Sequence, residues 1–284
     1  MTRWSWGALR LTLLEAGTVW LDGGAMFGVV PKPLWERERE PDERNRICLA
    51  MNLLLIEDGR RRTLVDSGAG DKWNEKSRSI YRLDARTPAE YLATVDLTPD
   101  QIDCVINTHL HFDHAGGNTA RTADGTLHPA FPNAEYVVQR GELETARWDN
   151  ERIRASYVAD DFEPLAGEPG RLRLVEGDEA LSDTIRLRVA PGHTPWMQIV
   201  QLVTEEGTVC FLADLVPTTS HVRYPYIMGY DLEPLRTLAT KKALLPLART
   251  EGWRLVFEHD VRTPLGVLEQ REDKLAARPW QPAS

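Results

Sequence analysis

Cysteine is scarce in this chain of 284 residues, which contains only three. Cys48, Cys104 and Cys210 are an odd number, lie far apart, and each falls in an apolar, strand-like stretch. Small disulfide-stapled folds instead use dense and even sets of cysteines. The sequence therefore argues against a disulfide framework and predicts three buried, reduced thiols.

Long apolar runs and excess positive charge are also missing. No stretch approaches the roughly 20 apolar residues that a membrane-spanning helix needs, and the opening MTRWSWGALRL lacks the pattern of a signal peptide. The 34 Lys and Arg residues are outnumbered by 43 Asp and Glu, for a formal net charge of -9, whereas nucleic-acid-binding proteins concentrate cations against phosphates. We expect a cytoplasmic globular protein that acts on a small molecule, without a membrane or nucleic-acid partner. The sequence leaves the oligomeric state open, a homodimer included.

Fixed-period repeats, low-complexity tracts and Gly/Ser linkers are absent from the sequence. Strand-like runs occur in both halves, at 9–21, 47–58, 61–68, 103–111 and 134–139, and then at 171–178, 184–193, 197–204, 208–214 and 253–260. Helical candidates are found at 88–97, 140–148 and 234–250. This order predicts an α/β fold of two mixed sheets covered by helices, in one domain over residues 1–284. The least regular region, 121–131, is expected to be an exposed loop.

What the chain does have is a dense group of metal-binding side chains in the segment THLHFDHAGGN, residues 108–118. His109 and His111 are two apart and would point the same way along an extended segment. Asp113 and His114 follow where the chain turns away. Imidazole and carboxylate donors without a neighbouring cysteine suit zinc, manganese or iron better than a thiolate-based structural zinc site. The segment therefore predicts a metal site rather than an unliganded surface cluster.

Three further candidate ligands each end a strand-like run: His193 in APGHTP, Asp214 in FLAD and His259 in FEHD. Strand ends meet at the edge of a sheet, so these side chains are expected to converge. Taken singly, either histidine is equally well read as an ordinary hydrogen-bonded residue, but the dense group makes the ligand role the stronger interpretation. His128 has no such setting and is predicted to be solvated.

Together these motifs are similar to the sequence pattern of a known enzyme family. THLHFDHAGG, PGHT at 191–194, Asp214 and His259 resemble the metallo-β-lactamase superfamily, whose HxHxDH motif is followed by a His, an Asp and a His. LVDSGAG at 64–70 is similar to the segment after that family's early strands, where Asp66 would order the site. The resemblance covers about residues 10–262 and implies an αββα metallo-β-lactamase sandwich.

The resemblance also implies two divalent metal ions, with zinc favoured and manganese or iron as alternatives. Seven side chains would hold them: His109, His111 and His193 for one metal, Asp113, His114 and His259 for the other, and Asp214 as the bridge. Asp113 is thereby both a ligand and part of the catalytic set. Paired metals lower the pKa of a bridging water and polarise a carbonyl or phosphoryl oxygen. The implied activity is hydrolysis of an ester-like bond by a metal-bridging hydroxide.

Within the superfamily, the chain looks most like the N-acyl homoserine lactonase and methyl parathion hydrolase branch, which shares HLHFDHAGG. True β-lactamases lack the second His of the Asp-His pair, and glyoxalase II enzymes add a helical domain, whereas only 25 residues follow His259. We therefore expect a lactonase or esterase for small apolar ester-like substrates. A phosphotriesterase or thioester hydrolase with the same site is the alternative. A non-enzymatic metal-binding regulator or redox protein is an alternative of another class, which the intact ligand set disfavours.

The segment DGGAMFGVVPKPLW, residues 22–35, opens a predicted pocket loop at about 22–46. Met26, Phe27 and Trp35 are expected to form an apolar wall that contacts substrate, since pockets are lined mostly by apolar side chains. The alternative is that these three side chains complete the core.

One departure from the lactonases concerns the group that polarises the substrate carbonyl. Lactonases place a tyrosine shortly after the bridging Asp, but here no tyrosine follows Asp214 before Tyr224. The sequence leaves His221, Tyr224, Tyr226 or the metals alone as candidates for this role.

Overall fold

The computed structural model describes residues 2–282; Met1, Ala283 and Ser284 lie outside them. The chain divides into two compact units, one made of residues 2–18 and 51–177 and the other of 19–50 and 178–282. The single domain expected over residues 1–284 stays a prediction. Across residues 2–282, no helix has both the length and the apolar character required to cross a bilayer.

The strands of the first sheet and of a small hairpin are β1 (Thr2–Trp6), β2 (Leu9–Asp22), β3 (Arg46–Glu57), β4 (Arg62–Val65), β5 (Asp84–Ala85), β6 (Cys104–Ile106), β7 (Thr119–Arg121), β8 (Leu127–Pro129), β9 (Glu135–Gln139) and β10 (Leu172–Val175). The second sheet consists of β11 (Glu179–Ala180), β12 (Ile185–Val189), β13 (Gln198–Thr204), β14 (Gly207–Phe211), β15 (Arg254–Val256), β16 (Leu265–Arg271) and β17 (Lys274–Pro279). The α-helices are α1 (Gly23–Phe27), α2 (Lys32–Trp35), α3 (Glu75–Tyr81), α4 (Pro88–Ala93), α5 (Phe112–Ala115), α6 (Arg140–Ala146), α7 (Glu163–Gly167) and α8 (Pro234–Thr250).

The first sheet is mixed, with strand order β1-β2-β3-β4-β6-β9-β10 and β5 paired with β2. β3 and β4 form an antiparallel hairpin, and Asp58 accepts hydrogen bonds from the amides of Arg60 and Arg61 in its turn. β4, β6 and β9 run parallel. The carboxyl ends of parallel strands lie at one edge, so the segments that follow β4 and β6 emerge together. These segments carry Asp66 and the HxHxDH motif.

The second sheet has strand order β11 to β17 and is antiparallel except for the β14–β15 pair. β12 is antiparallel to β13, which is antiparallel to β14, so β12, β14 and β15 all point the same way. Their carboxyl ends lead to His193, Asp214 and His259, respectively. The convergence predicted from the sequence is thus found within the second sheet.

The helices predicted from spacing are present. α8 has the predicted bounds and continues through Pro246. α4 begins with a capping box, in which the Thr87 hydroxyl accepts from the Glu90 amide and the Glu90 carboxylate accepts from the Thr87 amide. α4 and α6 are shorter than their predicted ranges, because the apolar spacing extends beyond the hydrogen-bonded turns.

Three expectations need correction. The 121–131 segment is not a plain loop, since β7 and β8 form a hairpin whose turn is closed by Asp124 accepting from the Thr126 amide. The 22–46 segment contains α1 and α2, and the Asp22 carboxylate caps α1 by accepting from the Ala25 amide at 2.8 Å.

The third correction concerns the thiols. Cys104 and Cys210 are buried as predicted, but Cys48, two residues after the start of β3, is only half-buried. None of the three forms a disulfide. His128 on β8 is exposed, as expected.

Candidate metal centre

Four of the predicted metal ligands lie together in the first unit, where the chain leaves β6 and enters the single turn of α5. The ring centroid of His109 is 4.6 Å from that of His111 and 3.9 Å from that of His114. An Asp113 oxygen lies 3.9 Å from Nε2 of His114. All four residues are at most 6% exposed. The motif therefore folds into a compact, buried group of imidazole and carboxylate donors.

Asp66, which follows β4, orients this group. Its Oδ1 accepts from the Thr108 amide, and its Oδ2 accepts from the Thr108 hydroxyl, both at 2.7 Å. Nδ1 of His114 donates to the same Oδ2 at 3.0 Å, and Nδ1 of His109 donates to the Thr108 hydroxyl at 3.1 Å. With Nδ1 carrying the proton, Nε2 has the lone pair that a metal requires. These contacts agree with the ordering role inferred for Asp66.

Glu142, which the sequence analysis missed, supports the same segment from α6. Its carboxylate is fully buried and accepts from the Leu110 amide at 3.1 Å and from the Tyr157 hydroxyl at 2.8 Å. The Tyr157 ring packs edge-on against His111, with centroids 4.5 Å apart. Glu142 therefore fixes the backbone between the two histidines and the ring beside one of them. A single glutamate in a helical pattern carries no sequence signal for such a role.

The two glycines that end the HFDHAGG segment have a packing reason. A Cβ on Gly116 would lie 2.3 Å from the Ala69 carbonyl oxygen, and one on Gly117 would lie 2.2 Å from that of Ser67. Only glycine permits this approach of two backbones. The Lys72 ammonium donates to the carbonyls of Gly116 and Thr119, the latter at 2.8 Å. The LVDSGAG segment and the motif are thereby locked together.

The remaining three predicted ligands lie together in the second unit. Oδ2 of Asp214 is 3.0 Å from Nε2 of His193, and its Oδ1 is 3.0 Å from Nε2 of His259. All three residues are at most 6% exposed. The preceding Ala213 has a φ of 45°, a strained conformation for a non-glycine residue. One carboxylate thus offers a different oxygen to each of two histidines, as a bridging ligand would.

The outer nitrogens of these histidines are also held. Nδ1 of His193 donates to Asp231 at 2.9 Å, and Nδ1 of His259 donates to the Ala50 carbonyl at 2.7 Å. Burial opposes the charged form of His193, but Asp214 and Asp231 outweigh it and raise its pKa to about 10. Nε2 of His193 and the Asp214 carboxylate, 3.0 Å apart, are the donors that this histidine and aspartate would offer to a metal ion, and a metal would compete with protons for them.

The donors fit divalent metal ions. Each of the seven predicted ligands is a buried imidazole or carboxylate able to bind a metal. Nδ1 is engaged in His109, His114, His193 and His259, which would leave Nε2 of each available to a metal. Nitrogen and oxygen donors without thiolate suit zinc, manganese and iron.

His221 differs from these histidines, because both of its ring nitrogens contact groups that are not among the seven predicted ligands. Nε2 donates to the Met26 carbonyl at 2.8 Å, and Nδ1 accepts from the Thr218 hydroxyl at 2.8 Å. Burial lowers its pKa to about 3, so the ring stays neutral at neutral pH. Phe27 stacks on it, with centroids 4.8 Å apart. This placement favours a structural anchor for α1 over the electrophilic role, which stays a prediction.

The residues expected to form an apolar wall are interior. Met26, Phe27 and Trp35 are 1%, 0% and 1% exposed, respectively. The Phe27 and Trp35 rings stack with centroids 5.4 Å apart. Their burial favours the alternative that they complete the core.

Tyr224 and Tyr226 line a cavity of about 460 Å³ in the second unit, together with residues of α8 and of the β16–β17 hairpin. The Tyr226 hydroxyl accepts from Arg223 at 3.0 Å, and its ring packs edge-on against Phe27 at 5.7 Å. Tyr226 is thereby engaged in packing. An electrophilic role for either tyrosine stays a prediction.

An aromatic cluster that includes one residue of the HxHxDH motif was not predicted from the sequence. Trp73, Tyr81 and Phe112 have ring centroids 4.9 to 6.1 Å apart. Trp73 and Tyr81 are half-buried, and Ile80 beside them is 50% exposed. Burial is the main cause that raises the pKa of Tyr81, and electrostatic repulsion from the Asp113 carboxylate adds to it. The only sequence signal is a pair of aromatic residues in KWNEKSRSIY, one just before α3 and one at its last position.

Comparison with known proteins supports the resemblance. The family model for the metallo-β-lactamase superfamily matches residues 48–259. N-acyl homoserine lactonase AiiA of Bacillus thuringiensis subsp. kurstaki is 31% identical over 173 residues, which are 60% of each chain. The aligned part of this chain thus spans less than two thirds of that relative.

Solved structures give the same fold. A probable metal-dependent hydrolase from Staphylococcus aureus superposes with a TM-score of 0.88 at 28% identity, over 99% of this chain and 100% of that one. AidC, a dizinc quorum-quenching lactonase, has a TM-score of 0.82 over 100% of this chain and 98% of its own, but its 18% identity supports the fold alone. The predicted fold class and the predicted lactonase branch are both confirmed.

Proposed function

The chain belongs to the metallo-β-lactamase superfamily, and on that premise we propose that it is a dinuclear metal-dependent hydrolase of small ester-like substrates. The observation that carries the proposal is the Asp214 carboxylate, which gives one oxygen to His193 and the other to His259. The HxHxDH motif adds four buried donors of the same chemistry. We assign all seven residues to two metals, with zinc as the first candidate.

When bound, the two metals would supply Lewis acidity, which lowers the pKa of water and polarises the bond to be cleaved. The protein's own residues prepare for this by fixing the ligand rings. Asp66, through its contacts with Thr108 and His114, holds one set of imidazoles. Asp231 and the Ala50 carbonyl hold the other set. Fixed rings need no reorganisation when a metal or substrate binds.

The substrate class is proposed to be lactones or esters with an apolar group. The aromatic cluster of Trp73, Tyr81 and Phe112 supports this choice, since it presents half-buried aromatic surface beside Asp113. We assign the substrate-contacting role to this cluster rather than to Met26, Phe27 and Trp35, which are interior. The similarity to N-acyl homoserine lactonases favours lactones among the esters.

The test is a hydrolysis panel of lactones, aryl esters, thioesters and phosphotriesters with zinc-replete protein. We expect the lactone and ester rates to be highest and to disappear in Asp214→Asn. Asp183→Asn, at an exposed aspartate of the same unit, is the matched control and should keep the full rate. A higher rate on a phosphotriester or thioester would show that the proposed lactone or ester class is wrong and would assign that other class instead. Two bound metals without turnover of any of these would favour a metal-binding regulator.

A further inference from the structure

Asp231 is a buried carboxylate of the second unit that lies outside the seven-residue ligand set. It is 4% exposed, and both of its oxygens are engaged. Oδ1 accepts from Nδ1 of His193 at 2.9 Å, and Oδ2 accepts from the Thr237 hydroxyl at 2.7 Å. Asp231 therefore links the first turn of α8 to a candidate metal ligand.

The backbone around this contact is fixed on both sides. The Leu232 amide donates to the His193 carbonyl at 3.0 Å, and the Glu233 amide donates to the Gly192 carbonyl at 2.9 Å. Gly192 has a φ of 145°, and a Cβ there would lie 2.3 Å from Oγ1 of Thr237. The glycine of the PGHT segment thus lets the His193 loop lie directly on α8. Asp231 and His193 are held at a defined separation by elements that do not depend on their own contact.

We propose that Asp231 is a positioning residue for His193: it holds the proton on Nδ1, so that Nε2 faces a metal, and its charge strengthens Nε2 as a donor. This inference rests on the proposed function. A neutral imidazole has one N–H, and the partner of that N–H decides which nitrogen can bind a metal. A carboxylate partner also makes the ring more basic than a neutral acceptor does. His259 gives the contrast, since its Nδ1 faces the carbonyl of Ala50.

The buried charge of Asp231 is itself offset. Lys241, fully buried on α8, donates to the carbonyls of Arg223 and Tyr226, both at 2.9 Å. Asp231 and Lys241 interact electrostatically, and the interaction favours the charged ammonium against the effect of burial. Lys241 therefore lies within electrostatic reach of the carboxylate that accepts from His193.

The experiment compares zinc affinity in the full chain carrying Asp231→Asn with that of the wild type. Asparagine keeps the volume and one acceptor oxygen but removes the charge. We expect one of the two zinc ions to bind about 10- to 100-fold more weakly and the other to be unchanged, in competition with a chromogenic chelator. Thr237→Val should weaken the binding of the same zinc ion. Thr237→Ser, which keeps the hydroxyl, should retain wild-type zinc affinity.

A second readout separates positioning from general loss of structure. In cobalt-substituted protein, the exchangeable Nδ1–H protons of ligand imidazoles give strongly shifted NMR signals. Asp231→Asn should move one of these signals and leave the others in place. The control is Thr218→Val, which removes the hydroxyl from buried His221 and should leave both zinc affinities unchanged.

The possible failures are distinct. Wild-type protein that binds fewer than two zinc ions would contradict the proposed function. Two tightly bound zinc ions in the wild type together with unchanged affinities in Asp231→Asn would overturn the positioning role alone. Movement of every shifted signal in that variant would assign Asp231 to the fold in general and overturn the inference as well.

Discussion

Oδ1 of Asp214 lies 3.0 Å from Nε2 of His259, while its other oxygen is equally far from Nε2 of His193. A carboxylate so placed would contact both metals, so its loss should affect both. We expect Asp214→Ala to lower hydrolysis by more than the roughly 10- to 100-fold that removal of an outer partner costs. Metal content and rate are to be measured on the same preparation. Full metal content with full activity would show that Asp214 does not bridge.

His221 provides a pH test. Its pKa is about 3 in the folded protein, well below the ordinary value of 6.5. The folded state therefore binds fewer protons than the unfolded state between these values, and the stabilisation is present above about pH 6.5 and lost toward pH 3. We expect wild type to lose on the order of 3 kcal/mol relative to His221→Gln between pH 7 and pH 4, as seen in urea unfolding midpoints.

The same variant tests the catalytic interpretation of His221. At pH 7 the folded, zinc-replete His221→Gln protein should retain hydrolysis, because both ring nitrogens of His221 are engaged by Thr218 and Met26. Abolished turnover in a folded, metal-loaded variant would instead support the electrophilic role.

Lys241 gives a second pH test with a different window. Burial lowers its pKa from 10.5 to about 7. For a lysine with a depressed pKa, the cost of burying the ammonium is fully present below about pH 7 and disappears as the pH rises toward 10.5. Wild type should therefore gain a few kcal/mol of unfolding free energy relative to Lys241→Met across this range. Parallel pH profiles of the two proteins would contradict this.

The aromatic cluster predicts a dependence on substrate size. Trp73→Ala should lower kcat/KM for long-chain lactones or aryl esters, by an amount equal to about 1 to 3 kcal/mol of lost transition-state stabilisation. The smallest esters should be unaffected, because only large groups reach the aromatic surface. Phe27→Ala is the comparison. As an interior residue, Phe27 should cost about 3 to 5 kcal/mol of stability when truncated, without selecting by chain length. If Phe27→Ala changes the dependence on substrate chain length and Trp73→Ala does not, the apolar substrate wall expected from Met26, Phe27 and Trp35 would be supported instead.

The parts of this molecule that could be predicted from sequence are those with a strong local pattern. The apolar spacing of 234–250 defines α8 to the residue. The strand runs ending at His193, Asp214 and His259 define which residues meet at one edge of the second sheet. Donor chemistry and the strand-forming residue pattern are both local properties, so they can be read from short segments.

The parts that could not be predicted depend on tertiary contacts. Phe27 looks like a pocket residue in a glycine-framed segment, but its stacking on His221 and Trp35 makes it interior. Asp231 and Glu142 are ordinary acidic residues in sequence, and their roles arise from partners 38 and 32 positions away. Burial and the partners of ring nitrogens are decided by the fold.

The most direct test of the central claim is elemental analysis of the full chain after zinc-replete expression and removal of loosely bound metal. The seven-ligand assignment predicts two metal ions per chain. A value of one or fewer would contradict the dinuclear centre on which the proposed function depends.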